Sequence, residues 1–410
     1  MIGTVAIRYA YRSLFRHTRR TLLSVFGVGV GCAIGLIANA FYAGSADMQI
    51  RAVSESGGGH LRVVPEDWTE SRRNSLRLVD SQAALEIVRA IPGVRYAVPR
   101  SRASGLLAFG NRTTGVEIVG VDPVNEFATN RMVSESQLQG RYLEKGETGF
   151  VVIGKTLAER LDVELDDDLL VTLSGQGEIK SGMLRIAGIL STGNRDLDSG
   201  ICQVTDDQLA ALSGYAERGE ITILLEDHAM IGAIRDALAA EFSNGNDVIT
   251  WREVNPSIAG NVDGDTAFIR LLSFIIMLVV MLGVASAQLT SFLERRHEFG
   301  VLTAIGMKGS QIVMLVILEA LMIGLGGAIA ALLIGGPAAY LLHTKGVDFG
   351  AMMGELSVGN ILFEPHIYGS FGPWLVAYAF VVSLSATAFA AIYPAWFATR
   401  IDPASELRPA

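Results

Sequence analysis

The chain has 410 residues, half of them hydrophobic and only 18% charged, with two cysteines and a formal net charge of −9. A mean hydropathy of +0.38 sets it apart from soluble domains, where about a quarter of residues are charged. This composition excludes a wholly soluble chain, and the acidic balance argues against nucleic acid as a partner.

The apolar excess lies in a few uncharged runs, at 21–46, 271–293, 320–342 and 367–399. Each is long enough to cross a bilayer, which takes about 20 apolar residues at roughly 1.5 Å each. The expected fold is thus a membrane α-helical chain with four transmembrane helices, plus an extracytoplasmic α/β and β domain inserted between helices 1 and 2. Residues 1–20 read as a basic, amphipathic cytoplasmic segment, with Arg8 and Arg12 interleaved among Ala6–Phe15. Transmembrane helix 1 is expected at 21–43. Ala38-Asn39-Ala40 fits a leader-cleavage pattern. The apolar stretch before it, from Leu22 to Ala38, is longer than the usual leader core of about 7–15 residues, which favours an uncleaved anchor. Gly27, Gly31 and Gly35 form two overlapping GxxxG units, a helix-packing face unless the glycines are merely tolerated.

Residues 44–266 hold 21 of the 33 Lys+Arg and 34 of the 42 Asp+Glu, a net of −13. Strands are expected at His60–Val64 and Val94–Val98 around a helix at Ser81–Ala90. A hairpin about Asn111 follows, from Gly105–Phe109 and Gly115–Val121. Late in the segment, Ile221–Leu225, Met230–Phe242 and Val248–Trp251 repeat the strand–helix–strand order. These ends predict two α/β lobes packed side by side, at about 58–134 and 206–256. Strand-like runs at Gly149–Ile153, Leu169–Leu173 and Met183–Ile189 predict a β-rich insert at about 135–205. Cys32 falls in the first span and Cys202 in this domain, so no intrachain disulfide is expected.

Gly149-Phe150-Val151-Val152-Ile153-Gly154-Lys155-Thr156 matches the phosphate-loop expression G-x-x-x-x-G-K-[ST]. Its middle residues are strand formers that resist a phosphate-wrapping turn, so nucleotide binding here is not expected. The six histidines are dispersed and no Cys pair occurs, which leaves no metal-ligand spacing. No G-x-S-x-G nucleophile motif occurs either. Asp166-Asp167-Asp168 lacks the alternating ligands and glycine of a calcium loop. No catalytic, cofactor-binding or metal residues are therefore expected in this chain.

Transmembrane helix 2 is expected at 267–293, a cytoplasmic loop at 294–309 and helix 3 at 310–342. An external loop at 343–371, helix 4 at 372–398 and a cytoplasmic tail at 399–410 complete the layout. Basic residues flank the spans at Arg16, Arg19, Arg20, Arg295, Arg296 and Arg400, whereas the 343–366 loop has Lys345 against Asp348, Glu355 and Glu364. Both termini and the 294–309 loop should then be cytoplasmic, and 44–266 external. Glu319 stands roughly 12 Å into span three, too deep for a lipid-facing charge. With no titratable partners in the middles of the other spans, a neutral or hydrogen-bonded packing role is favoured over a proton relay.

Three features resemble the FtsX/MacB-type permeases of ABC transporters, which include lipoprotein-releasing and macrolide-export permeases. They are Glu294-Arg295-Arg296-x-Glu298-Phe299-Gly300-Val301-Leu302-x-Ala304-Ile305-Gly306-Met307, the span bearing Glu319, and the terminal Pro394…Pro403-x-x-x-Leu407-Arg408. The resemblance covers the whole layout. It implies an inner-membrane permease of the mechanotransmission type and a dimer with a second copy or paralogue. ATP and magnesium would reside in a separate cytosolic ATPase, so this chain would be no enzyme. The cargo would be hydrophobic or lipidated: lipoprotein, lipid, drug or peptide, met at the membrane lipid. It also implies a porter-like α/β part and a β-rich part outside. The 294–309 stretch would couple to the ATPase. Phe299, Leu302 and Ile305 would seat in a groove on the ATPase, Arg295, Arg296 and Glu298 would set orientation at the rim, and Gly306 would stop the helix. Two other functions use the same parts: a membrane regulator that activates cell-envelope hydrolases, and a transmembrane sensor.

Overall fold

The computed structural model describes residues 12, 16, 18–68, 73–242, 245–348, 357–358, 361–362 and 366–398. Most of the 1–20 segment, part of the 343–371 loop, and the tail with Pro403, Leu407 and Arg408 lie outside the described residues. In chain order the elements are α1 (Thr18–Glu55), β1 (Leu61–Pro65), α2 (Ser81–Ala90), β2 (Val94–Phe109), β3 (Arg112–Val121), α3 (Pro123–Thr129) and α4 (Arg131–Ser134). Then come β4 (Gln137–Gly140), β5 (Phe150–Gly154), α5 (Lys155–Leu161), β6 (Asp168–Ser174), β7 (Ile179–Ser191), α6 (Arg195–Gly200), β8 (Cys202–Thr205) and α7 (Asp206–Ser213). β9 (Glu220–Leu225), α8 (Ile231–Glu241), β10 (Asn246–Thr250), α9 (Trp251–Val254), α10 (Pro256–Glu294), α11 (Arg296–Ala304), α12 (Gly309–Lys345) and α13 (Trp374–Ala398) follow, with four two-residue strands between 347 and 367. Two compact units result. One holds 1–46, 263–347 and 367–410, and the other 47–262 and 348–366.

The first unit is helical. Four of its helices, at Thr18–Glu55, Pro256–Glu294, Gly309–Lys345 and Trp374–Phe397, are long and apolar enough to cross a membrane. Packing rests on small residues, as it does where lipid removes the hydrophobic drive between helices. A side chain at Gly31 would strike Val280 and one at Gly35 would meet Tyr378, but Gly27 faces open space. Gly27 is thus no part of the packing face read from the sequence. Gly29, one residue off that stripe, lies against Ala330 instead. Polar groups stitch the bundle: Asn39 Nδ2 donates to Ser273 Oγ at 3.0 Å and Tyr378 Oη at 2.9 Å, and Ser383 Oγ donates to the Gly324 carbonyl at 2.6 Å.

The second unit is built on strands in the order β10-β1-β9-β2-β3-β8-β5-β7-β4, with β6 pairing β2 and β7. The two strand–helix–strand passes do not form two lobes. They interleave as β10-β1-β9-β2, all antiparallel, around one core of Leu61, Val63, Leu85, Val88, Ile223 and Leu238. A two-stranded piece alone is marginal, and interleaving gives both helices one sheet to cover. β2 changes partners along its length: Val94–Arg100 pairs β9, while Ser101–Phe109 pairs β3. The 105–121 hairpin therefore belongs to the β-rich body, not to the 58–134 lobe expected for it. That body has its own core, with Leu107, Ile118, Ile153, Leu169, Val171 and Leu184 fully buried.

Where β2 crosses between the two halves, charge is buried. Arg100, 1% exposed, donates from Nε and Nη2 to Glu126 at 2.9 and 2.6 Å. Arg62 and Arg102 share Glu220, at 3.2 and 2.9 Å. Burial alone would raise the Glu220 carboxyl, but Arg102 and Arg62 beside it hold it down at about 2. Pairing on both sides is what makes such burial tolerable.

The phosphate-loop lookalike is a strand. Val151, Val152 and Ile153 are fully buried in β5, which runs between β7 and β8 straight into Gly154 and α5. Its backbone groups are committed to neighbouring strands, and no loop exists to wrap a phosphate. Asp168 starts β6 and pairs with Arg185 at 3.0 Å. No metal-binding group of three His, Cys, Asp or Glu occurs among the described residues. Cys32 and Cys202 are free and buried.

Candidate functional site

α10 ends at Glu294, and Arg295, with φ −103° and ψ 9°, turns the chain into α11. The far end of α11 closes in a Schellman arrangement. Gly306 has φ +104°, its N–H bonds to the Thr303 carbonyl, and the Met307 N–H reaches back to the Leu302 carbonyl, each at 3.0 Å. Met307 and Leu302 both pack on the cluster of Phe292, Phe299, Ile312 and Leu315, the apolar contact that accompanies this motif. The Lys308 N–H then bonds to Gln311 Oε1 at 2.9 Å, starting α12.

Within this frame the predicted residues separate. Phe299 is 1% exposed and stacks on Phe292 with ring centroids 5.1 Å apart. Leu302 is half-buried on the same cluster. Ile305, in contrast, is 80% exposed and Val301 is 37% exposed. The apolar side expected to meet a partner thus faces this chain's own bundle, for the next span packs behind the helix. The outward surface is Val301 and Ile305, with Arg296, His297 and Lys308 also exposed.

Arg295 is not at a rim. It is buried beneath α11, with Nη1 donating to Glu319 Oε1 at 2.9 Å and Oε2 at 3.2 Å. Nε donates to Glu298 Oε2 at 3.3 Å, and the guanidinium lies 5.0 Å from the centre of the Phe299 ring. Glu298 also meets Arg16 at 3.5 Å, and Glu294 meets Arg20 at 2.7 Å. Glu319 is therefore a hydrogen-bonded packing group, with the Arg295 guanidinium as its ion-pair partner. The pairing was missed because the loop and the span were read as separate segments. A cation at the end of one span and an acid ten positions into the next was the available signal. Chemically the arrangement pins α11 through ionic and aromatic contacts on one side and leaves a small apolar, basic surface on the other.

Residues 270–403 match the family model described as FtsX-like permease C-terminal, and residues 21–241 match that of the MacB-like periplasmic core domain. The Macrolide export ATP-binding/permease protein MacB of Hyphomonas neptunium is 28% identical over 358 residues, 83% of this chain and 54% of that protein. The Lipoprotein-releasing system transmembrane protein LolC of Xylella fastidiosa is 21% identical over 342 residues, 80% of this chain and 81% of that protein. The chain spans about half the length of the macrolide-export relatives it matches. The crystal structure of the periplasmic region of MacB from Actinobacillus actinomycetemcomitans covers 50% of this chain and 95% of that one, at 14% identity and a TM-score of 0.36.

Proposed function

We propose, from the premise that the chain belongs to the FtsX/MacB family of ABC-transporter permeases, that it couples ATP hydrolysis on a separate cytosolic subunit to movement of its sheet-rich unit. The reading places the chain in the inner (plasma) membrane, with both termini and α11 on the cytoplasmic face and the sheet-rich unit outside. The distribution of basic residues about the spans supports that orientation. The cargo is hydrophobic or lipidated, and the working form is a dimer with a second copy or a paralogue.

The observation that carries the reading is the two-sided α11. Its inner side is fixed by Arg295, Phe299 and Leu302, and its outer side offers Val301 and Ile305 beside Arg296 and Lys308. A short exposed apolar surface ringed by cations suits a helix docking into a groove on a partner. The test is Ile305→Asp. The purified variant should keep its elution volume and melting behaviour but lose the co-purifying ATPase, and lose turnover in proteoliposomes. Undiminished ATPase capture together with undiminished turnover would remove α11 from the coupling.

A further inference from the structure

The sheet-rich unit contains a cleft of about 390 Å³ whose lining differs in sign from the acidic unit around it. Five arginines face it, Arg62, Arg73, Arg77, Arg100 and Arg102, against three glutamates, Glu117, Glu126 and Glu220. Arg100 spends its donors on Glu126, Gly57 and Thr222. Arg62, Arg102 and Arg77 are less occupied. Arg62 donates from Nε and Nη1 only, and so does Arg102, which leaves Nη2 of each without a hydrogen bond to a described residue. Arg77 spends Nη1 on the Asn74 and Leu76 carbonyls and rests 4.6 Å over the Tyr215 ring. Its Nε is buried without a hydrogen-bond partner among the described residues.

A buried donor left unmade is costly, and a cluster of guanidinium groups in excess of its carboxylates is costlier still. Burial pushes Arg77 down from its ordinary value. It also pushes Arg62 down to about 10, with Arg102 and Arg100 adding to the effect against Glu220. An oxyanion in the cleft would offset the excess positive charge of these guanidinium groups. Guanidinium forks match phosphate oxygens in geometry as well as charge. Val53, Leu76, Met132 and Ile258 line the same space, so apolar contact is available beside the charge.

We propose that this cleft binds a phosphate-bearing ligand, held by Arg77 with Arg62, Arg73 and Arg102. A lipid headgroup and a free phosphate ester share this chemistry, and the probes below distinguish them. The volume is that of a small-molecule site. Binding here does not depend on the transport reading, since the test has no turnover readout.

The experiment is calorimetric titration of the full chain in a neutral, phosphate-free detergent. Three probes are used: inorganic phosphate, glycerol 3-phosphate, and phosphatidylglycerol in mixed micelles, with diacylglycerol as the phosphate-free control. Saturable binding of the soluble probes shows that the phosphate group suffices. Saturation by phosphatidylglycerol alone, with none by diacylglycerol, identifies a lipid headgroup. In either case Arg77→Gln should bind about tenfold more weakly or worse, the loss of roughly one charge-assisted bond. Arg73→Gln, at an exposed position, is the second variant and should weaken the same binding. Arg185→Gln, on a residue outside the cleft lining, should leave it unchanged. No saturation by any phosphate probe, or wild-type affinity in both Arg77→Gln and Arg73→Gln, overturns the proposal.

Discussion

Removing the Glu319 carboxylate should destabilise the helical unit by an amount that its surroundings let one work out. The Arg295 and Glu319 side chains are 7% and 6% exposed. Deleting one partner of such a buried pair costs about 3–5 kcal/mol, because the remaining charge is left uncompensated. Arg295 would keep Glu298 at 3.3 Å, but that carboxylate is 42% exposed, and so open a pair returns at most about 1 kcal/mol. Glu319→Ala should therefore cost about 2–4 kcal/mol. Glu319→Gln, which keeps the shape and an acceptor, should fall at the lower end of that range. The double variant Arg295→Met with Glu319→Leu removes both charges while keeping similar volume, and should return to within about 1 kcal/mol of the parent. Reversible unfolding by SDS titration in mixed micelles, with the single variants Arg295→Met and Glu319→Leu added, gives all four corners of the cycle. A coupling energy near zero, with the single losses simply adding, would refute a functional ion pair at this site.

Three other outcomes follow from particular residues. Gly306→Val forces a β-branched residue to φ +104° and should cost at least about 1 kcal/mol, read in the same SDS titration, though a side chain there would meet nothing within 4 Å. Burial pushes Asp206 up to about 6, so its contribution to stability is complete below about pH 3.8 and is lost as pH rises through 6. Asp206→Asn should then gain up to about 3 kcal/mol over the parent at pH 7.5 and nothing near pH 3.5, measured as hydrogen-exchange protection of α7; an equal gain at both pH values would contradict the assignment. Lys155→Ala, at the start of α5 behind a buried strand, should leave ATP hydrolysis by the purified complex unchanged, and a loss of nucleotide binding with the fold intact would reverse the reading of 149–156.

The spans were legible because each is a single uncharged run, and local composition suffices where the solvent is lipid. The 105–121 hairpin was legible for a related reason, since its two strands are joined by Gly110-Asn111 alone. Failure began where pairing became long-range. β1 bonds to β9 and β10, far along the chain, and no local pattern says that two strand–helix–strand passes will share one sheet. β2 reads as two short strands because Pro99 and Gly105 break its pattern, yet it is one strand with two sets of partners. The candidate site shows the same limit. The apolar periodicity of Phe299, Leu302 and Ile305 was visible, but periodicity does not say whether a face meets a partner or the chain's own next helix.

Arg295 also explains why arginine rather than lysine suits this turn. One side chain must satisfy Glu319 at 2.9 Å and Glu298 at 3.3 Å with its guanidinium carbon 5.0 Å from the centre of the Phe299 ring, itself stacked on Phe292. A planar guanidinium can present separate N–H groups to two carboxylates in its plane while its face rests on an aromatic ring. An ammonium is a compact, strongly hydrated point charge with no such face, and burying it here would leave more of its hydration unreplaced. The same geometry links α11 to α12 through one residue outside both helices. Glu298 lies on α11 and Glu319 on α12, and Arg295 holds the two carboxylates on different nitrogens. The orientation of the exposed Val301 and Ile305 is thereby tied to the position of α12 more directly than through the turn at Gly306 alone.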